Sequence, residues 1–135
     1  MSNFALVVVP AGWDDKTPLT FSAAQYEAIR DSAHPGTEII LFRGEPENII
    51  IGQGQVRAPF LKTSEWPAQN LGDIDPSNPD MAYALPIEVL FRLKAPVAPL
   101  AQVRDALRDP SFPHPGEHWR ALKQDEYDAL RDGWL

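Results

Sequence analysis

The sequence predicts a small α+β domain in which about five short strands form a closed or nearly closed mixed β-barrel flanked by short helices. The chain has 135 residues, the size of one domain. It contains 14 prolines and 8 glycines, which favour short strands and ordered turns over long helices. Its apolar residues form brief β-branched runs, and closing such strands into a barrel removes the edges that they would otherwise expose.

The first third of the chain predicts a strand, a helix and a hairpin. Residues 4–9 are a β-branched run, which is typical of a buried strand. Residues 22–31 suit a short helix, and the serine that opens this segment is a suitable N-cap. The apolar runs 39–42 and 49–51 are separated by turn residues at 44–48, which predicts a β-hairpin.

The second arm of this hairpin carries glycines at alternate positions, Gly52 and Gly54, with Gln53 between them. Alternate positions of a strand point to the same face, so one face of this arm lacks side chains. Either another backbone or a ligand can therefore approach that face closely.

The rest of the chain alternates between loops and short elements. Residues 57–79 are polar and rich in turn residues, and a loop of this length in a compact domain is usually functional or mobile. Residues 82–93 predict a long strand that is broken or bulged at Pro86. The sequence then predicts a helix, a short strand and a last helix, at residues 100–108, 118–122 and 124–131.

Composition restricts the class of function. The chain has 12 basic and 19 acidic residues, a net charge of -7, so it has no overall field that attracts polyphosphate. It has no cysteine, which excludes disulfides and thiolate zinc sites. The N-terminal segment lacks the basic region of a signal peptide, and no segment approaches membrane-spanning length. We therefore expect a cytoplasmic protein.

Several segments together resemble the PUA-like domains of the EVE and YTH type. They are ILFRG at 40–44, IIIGQGQV at 49–56, Trp66 in the following loop, IEVLFRLKAPV at 87–97 and WRALKQDEYDAL at 119–130. The resemblance covers most of the chain and implies a small PUA-like barrel. It also implies binding of a flipped, modified base in an aromatic pocket where the first strand, the first helix and the hairpin meet. No cofactor or metal is expected.

Five residues are candidates for contact with nucleic acid. The resemblance places Trp66 as a cage aromatic after the glycine-bearing strand and Trp13 at the border of the same pocket. Aromatic rings bind bases by stacking. Arg43 and Arg57 lie at the ends of the hairpin arms, where arginine pairs well with phosphate. The amide of Gln53 presents a donor and an acceptor to a base edge.

Each candidate also has an ordinary structural explanation. The two tryptophans in loops can cover the core, the arginines can be solvated surface charges, and Gln53 can make a hydrogen bond within the fold. Trp119 and Trp134 lie in the C-terminal segment and are interpreted as packing residues.

Catalytic and metal-binding patterns are weak in this sequence. His114 and His118 are four residues apart, but the proline and glycine between them prevent a shared helical face, so a zinc pair is not predicted. Asp73, Asp75 and Asp80 lack the glycine and terminal glutamate of a calcium loop. No serine lies in a nucleophile elbow.

Three functional hypotheses follow. The leading one is a non-catalytic reader of modified DNA or RNA, either free-standing or the N-terminal sensor of a longer protein in a modification-dependent restriction system, with a fused or associated nuclease. The second keeps the same domain but gives it a small-molecule ligand, which the acidic net charge favours. The third is a hydrolase acting through His114 or His118.

Overall fold

The structure of the protein is a computed structural model. It describes residues 4–9, 13, 18–44, 47–97, 100–115 and 117–132, without the side chains of residues 93–97. The predicted turn at 44–48 is therefore described in part, and Trp134 lies outside the described residues.

The described residues form eight strands and three helices. The strands are β1 (Phe4–Val9), β2 (Leu19–Phe21), β3 (Glu38–Arg43), β4 (Ile49–Val56), β5 (Leu61–Lys62), β6 (Tyr83–Leu85), β7 (Ile87–Val97) and β8 (Trp119–Leu122). The helices are α1 (Ala23–Ile29), α2 (Leu100–Leu107) and α3 (Gln124–Asp132). No helix in this part of the chain combines the length and the apolar character needed to cross a bilayer.

The strands lie in two sheets. The larger sheet has the order β7-β4-β3-β1-β8, in which β1 and β3 are parallel and the other neighbours are antiparallel. The smaller sheet has the order β2-β6-β5 and is antiparallel. The α+β class with short flanking helices is confirmed. The sequence predicted a closed or nearly closed barrel, and the described strands form two sheets without a closed barrel.

Pro86 explains the division into two sheets. The sequence predicts one interrupted strand over residues 82–93, and the interruption is where the chain leaves the smaller sheet as β6 and enters the larger sheet as β7. Proline has no N–H for a ladder hydrogen bond. The carbonyl of Pro86 instead accepts a hydrogen bond from the N–H of Arg57 at 3.0 Å, at the end of β4.

The core consists of two apolar clusters on opposite faces of the larger sheet. Leu6 and Ile40 belong to the cluster that packs against α2 and α3. Val7 and Ile39 belong to the cluster that packs against the smaller sheet. Neighbouring residues of a strand point to opposite faces, so β1 and β3 are buried on both sides. This double burial accounts for their nearly continuous apolar runs.

The short helix α1 is fixed by a capping box and by aromatic packing. The Ser22 hydroxyl accepts a hydrogen bond from the N–H of Gln25 at 3.2 Å, and the Gln25 side chain accepts one from the N–H of Ser22 at 2.8 Å. The ring of Tyr26 stacks on Tyr83, with centroids 4.1 Å apart. The predicted helix and its N-cap are confirmed.

Sequence patterns found the longer elements and missed the shortest. The predicted strand at residues 4–9, the hairpin, the strand at 118–122 and the helices at 100–108 and 124–131 are confirmed to within two residues at each end. The missed elements are β2 and β5, which have three and two residues and are too short to show a period. Trp119 is buried in the core, as a packing residue should be.

Gly52 and Gly54 allow β7 to approach β4 closely. A Cβ atom on Gly52 would lie 2.5 Å from the carbonyl oxygen of Phe91, and one on Gly54 would lie 2.6 Å from that of Glu88. The register between β4 and β7 shifts at both positions. The partner that approaches this arm is therefore a neighbouring backbone.

We expect Gly54→Ala to destabilise the fold by about 1–3 kcal/mol, because the added methyl group overlaps a backbone carbonyl. Urea unfolding followed by circular dichroism measures the difference in the free energy of unfolding. Gly44→Ala is the matched control, since its Cβ atom would meet only the Val8 side chain, at 3.4 Å. Equal stability of the two variants would contradict the proposed tight approach of β7.

Candidate ligand cavity

A cavity of about 660 Å³ lies between β1, β2, the start of α1 and the loops that follow β5. Ligand sites in proteins have volumes of about 300–1,000 Å³. Val7 and Leu19 line it from the two sheets, and Ile74 and Met81 line it from the loops. The cavity therefore has the size and the apolar walls of a small-ligand site.

Two aromatic side chains, Trp13 and Phe21, form part of the cavity wall. Both are buried, with 8% and 1% of their surfaces exposed. The Nε1 atom of Trp13 has no hydrogen-bond partner among the described residues. This atom is fully buried, so it does not face the open space of the cavity, and leaving such a donor unpaired costs about 1–3 kcal/mol.

The polar part of the wall is acidic. Asp73 and Asp80 line the cavity, are exposed, and make no side-chain hydrogen bond or ion pair with described residues. Ser22, Gln25 and His118 contribute neutral or titratable groups. The lining contains no lysine or arginine among the described residues. The cavity therefore suits a neutral or electron-poor group better than a phosphate or carboxylate.

Of the five predicted nucleic-acid contacts, Trp13 is the one that the structure places in the cavity wall. Trp66 is half-buried and follows the 3₁₀ turn Thr63–Glu65 outside this wall, and its Nε1 atom also lacks a partner. The structure thus does not bring the two tryptophans together at the cavity. A base-binding role of Trp66 stays a prediction.

The two predicted phosphate ligands are already paired with carboxylates. Arg57 forms an ion pair with Glu88 at 2.9 Å, and Arg43 forms one with Glu47 at 3.2 Å. Each pair is at least partly exposed, and such pairs stabilise a fold by about 0–1 kcal/mol. Phosphate contacts by either arginine would therefore compete with an internal partner and stay predictions.

Gln53 lies on the opposite face of the larger sheet from the cavity. It pairs with Ile40, a member of the cluster beneath α2 and α3. Its Nε2 atom donates a hydrogen bond to the hydroxyl of Tyr127, a buried residue of α3. Burial raises the pKa of Tyr127, which keeps its hydroxyl protonated. The structural role of Gln53 is thus a hydrogen bond to Tyr127. A contact between Gln53 and a base stays a prediction.

The two histidines of the hydrolase hypothesis lie in different surroundings. His114 contacts Asp109, with Nε2 and Oδ2 2.7 Å apart, and Arg120 donates to the same oxygen at 2.7 Å. These hydrogen bonds from Arg120 and His114 lower the pKa of Asp109 to about 2. His118 alone lines the cavity. Among the described residues, no group of three or more histidines and carboxylates is placed to hold a metal ion.

Sequence reasoning missed most of the cavity wall. Phe21 belongs to β2, which is too short to show a periodic pattern of apolar residues. Gln25 was predicted as a residue of a helix but not as part of a site. Asp73 and Asp80 were recognised as acidic loop residues, but their meeting at one cavity depends on how the loop at 57–79 folds.

Solved structures of other proteins share this fold. Human THYN1, in complex with 5-methylcytosine-containing DNA, matches with a TM-score of 0.65 and 14% identity over 96% of this chain and 95% of that chain. The YTH domain of Zygosaccharomyces rouxii MRB1, in complex with N6-methyladenosine RNA, matches with a TM-score of 0.63 and 6% identity over 96% and 86%. The ZmASCH protein of Zymomonas mobilis matches with a TM-score of 0.58 and 12% identity over 99% and 98%.

No protein-family model matches the sequence, and no curated protein matches it. The structural matches establish that this chain shares its fold with THYN1 and with the YTH domain, to which the sequence resemblance also points. The cavity adds a site of suitable size for a ligand.

We expect Gln53→Ala to lower the free energy of unfolding by about 1–3 kcal/mol, because the buried Tyr127 hydroxyl loses its donor. Chemical denaturation measures this change. Gln55→Ala is the matched control, since Gln55 lies on the same strand and makes no side-chain hydrogen bond with described residues. Unchanged stability together with weaker binding of a modified oligonucleotide would instead assign Gln53 to recognition.

Proposed function

We propose that the chain is a non-catalytic reader of modified DNA or RNA that takes one modified base into the cavity. The observation that carries this proposal is the cavity itself, with the ring of Trp13 in its wall. The fold also supports the proposal, because two proteins of similar structure are in complex with 5-methylcytosine DNA and with N6-methyladenosine RNA.

A base is the part of a nucleic acid that fits these walls. Bases have flat, polarisable faces, and stacking on an aromatic side chain contributes about 1–3 kcal/mol per base. A base inside a duplex cannot reach an enclosed site, so it must be extruded or already unpaired. Trp13, with 8% of its surface exposed, offers the aromatic surface, and polar residues of the cavity lining can contact the base edge.

The charge distribution makes the base, and not the phosphate backbone, the main source of affinity. The net charge is -7, and the carboxylates Asp73 and Asp80 line the cavity. Arg43 and Arg57 are engaged by glutamates. In this proposal the domain only reads the modification, and a fused or associated nuclease is the partner that would act on the nucleic acid.

A free small molecule is the second candidate ligand. The absence of lysine and arginine from the described lining favours it, because a polymer with many phosphates gains little at such a site. Binding of a modified nucleoside with the same affinity as a modified oligonucleotide would select this candidate.

We expect Trp13→Leu to weaken binding of a single-stranded oligonucleotide with one modified base by about 1–3 kcal/mol, because leucine fills space but has no aromatic face. Fluorescence anisotropy measures the dissociation constant, and a thermal melt confirms that the variant is folded. The oligonucleotides should carry either 5-methylcytosine or N6-methyladenine.

Trp66→Leu is the matched control for this change, since Trp66 also has an unpartnered Nε1 atom but does not line the cavity. If the base binds in the cavity, this variant should keep the affinity of the unchanged chain, whereas the base-binding role that the resemblance gives Trp66 would make its affinity fall. The opposite result, with Trp66→Leu weakening binding and Trp13→Leu leaving it intact, would move the site to Trp66.

We expect the affinity to depend only weakly on salt concentration. Each phosphate neutralised by a cationic side chain adds about -0.7 to the slope of log K against log salt for a single strand. With both candidate arginines paired internally, the slope should be no steeper than about -2. Titrations between low and physiological salt measure it, and a steep slope with tight binding of unmodified DNA would show that the backbone carries recognition.

A further inference from the structure

We propose that the base taken into the cavity carries a modification larger than a methyl group, namely a neutral group with several hydroxyls, of the sugar type. This inference rests on the proposed function and adds the chemical class of the modification. It follows from the volume of the cavity and from the polar side chains in its lining. It does not depend on which base ring carries the modification.

The cavity is larger than a methylated base needs. Its volume is about 660 Å³. A methylated pyrimidine has about nine non-hydrogen atoms, and even at about 30 Å³ for each, the share of one molecule in liquid water, it fills only about 270 Å³. More than half of the cavity would then hold only water. Pockets usually enclose most of the surface of their ligand, so a ligand of about twice that size fits this cavity better.

Polar side chains without a fixed charge line this space and can bond to hydroxyl groups. Thr20 and His118 line the cavity and make no side-chain hydrogen bond with described residues. The Ser22 hydroxyl accepts a hydrogen bond from the N–H of Gln25, which leaves its own proton to donate. Gln25 uses only its amide oxygen in the capping box, which leaves its NH₂ group as a donor. A hydroxyl group both donates and accepts, so it can pair with each of these side chains.

Other kinds of modification fit this lining less well. Asp73 and Asp80 line the cavity and no described lysine or arginine does, so a phosphate or carboxylate would be repelled. Both carboxylates are exposed, and solvent weakens their attraction for a cationic group. A purely apolar group would leave the polar side chains without a partner. A sugar offers hydroxyls to them, and the C–H face of its ring can pack on the ring of Trp13 in the wall.

A comparison of a methylated with a glucosylated base tests this inference directly. Two single-stranded oligonucleotides of one sequence carry, at one position, either 5-methylcytosine or glucosylated 5-hydroxymethylcytosine. The two bases share the same ring and differ only in the size and the hydroxyl groups of the substituent. Both strands are titrated against the full chain by fluorescence anisotropy. We expect the glucosylated strand to bind about tenfold more tightly or better, because it adds several hydrogen bonds and displaces water from the cavity.

Ile74→Trp should remove this preference, because Ile74 lines the cavity from the loop and a larger side chain there takes up the space that the sugar needs. Leu61→Trp is the matched control. Leu61 lies on β5, is 38% exposed and does not line the cavity, so this variant should keep the full preference. A thermal melt confirms that each variant is folded. Met81→Trp, which narrows the cavity from the same side, replaces Ile74→Trp if that variant does not fold.

Equal affinity of the unchanged chain for the two strands, or weaker binding of the glucosylated strand, would overturn the inference while the proposed function stands. A full preference retained by the folded, narrowed variant would also overturn it. Failure of the proposed function has a different signature, since no modified strand of either kind then binds. In that case the two free nucleosides are compared by calorimetry. A preference for the glucosylated nucleoside would support the inference with a small-molecule ligand, and no binding of either would overturn it.

Discussion

Burial of β1 and β3 on both faces is the constraint on which the rest of the structure depends. These two strands are parallel neighbours near the middle of the larger sheet, and their side chains enter two separate apolar clusters. Each face must therefore be covered by its own layer. Helices α2 and α3 cover one face, and the smaller sheet covers the other. The chain must cross between layers several times, and Pro86 marks one of these crossings.

The two layers that cover the larger sheet differ in how completely they cover it. On the helical side, Tyr127 is buried and receives the amide of Gln53, so the polar groups there satisfy one another. On the other side, the covering strands β2, β5 and β6 have only two or three residues each. Loops complete that layer, and the cavity lies where these loops meet β1 and β2. Thus the candidate ligand cavity lies on the side of the sheet that is covered by short strands and loops.

The position of Gln53 shows why the sequence predicted the hairpin but not the face of each side chain. Ile51 faces the smaller sheet, and in a regular strand Gln53, two residues on, would face the same way. The register shifts between β3 and β4 leave one residue of β4 without a partner, and Gln53 lies opposite Ile40 on the helical face. A bulge of one residue leaves no pattern in the sequence, yet it reverses every assignment beyond it.

Longer elements were predictable because their signals are local. The run at 4–9 is apolar enough to be a buried strand, and Ser22 with Gln25 forms a capping box that can be recognised from spacing alone. The cavity wall was not predictable in this way. Trp13, Phe21 and Asp80 come from three separate segments, and only the packing of the loops on β2 brings them to one place.

The acidic character of this cavity is consistent with a reader that must ignore unmodified nucleic acid. One methyl group in an apolar pocket changes affinity by only about 1–3 kcal/mol. Contacts to phosphates contribute equally to modified and unmodified strands, so they raise both affinities without improving this ratio. A chain with a net charge of -7 and no described cation in the cavity wall gains little from phosphates. In the proposed reader, occupancy by the excess of unmodified strands would therefore stay low, and the small energy of one modification would decide what is bound.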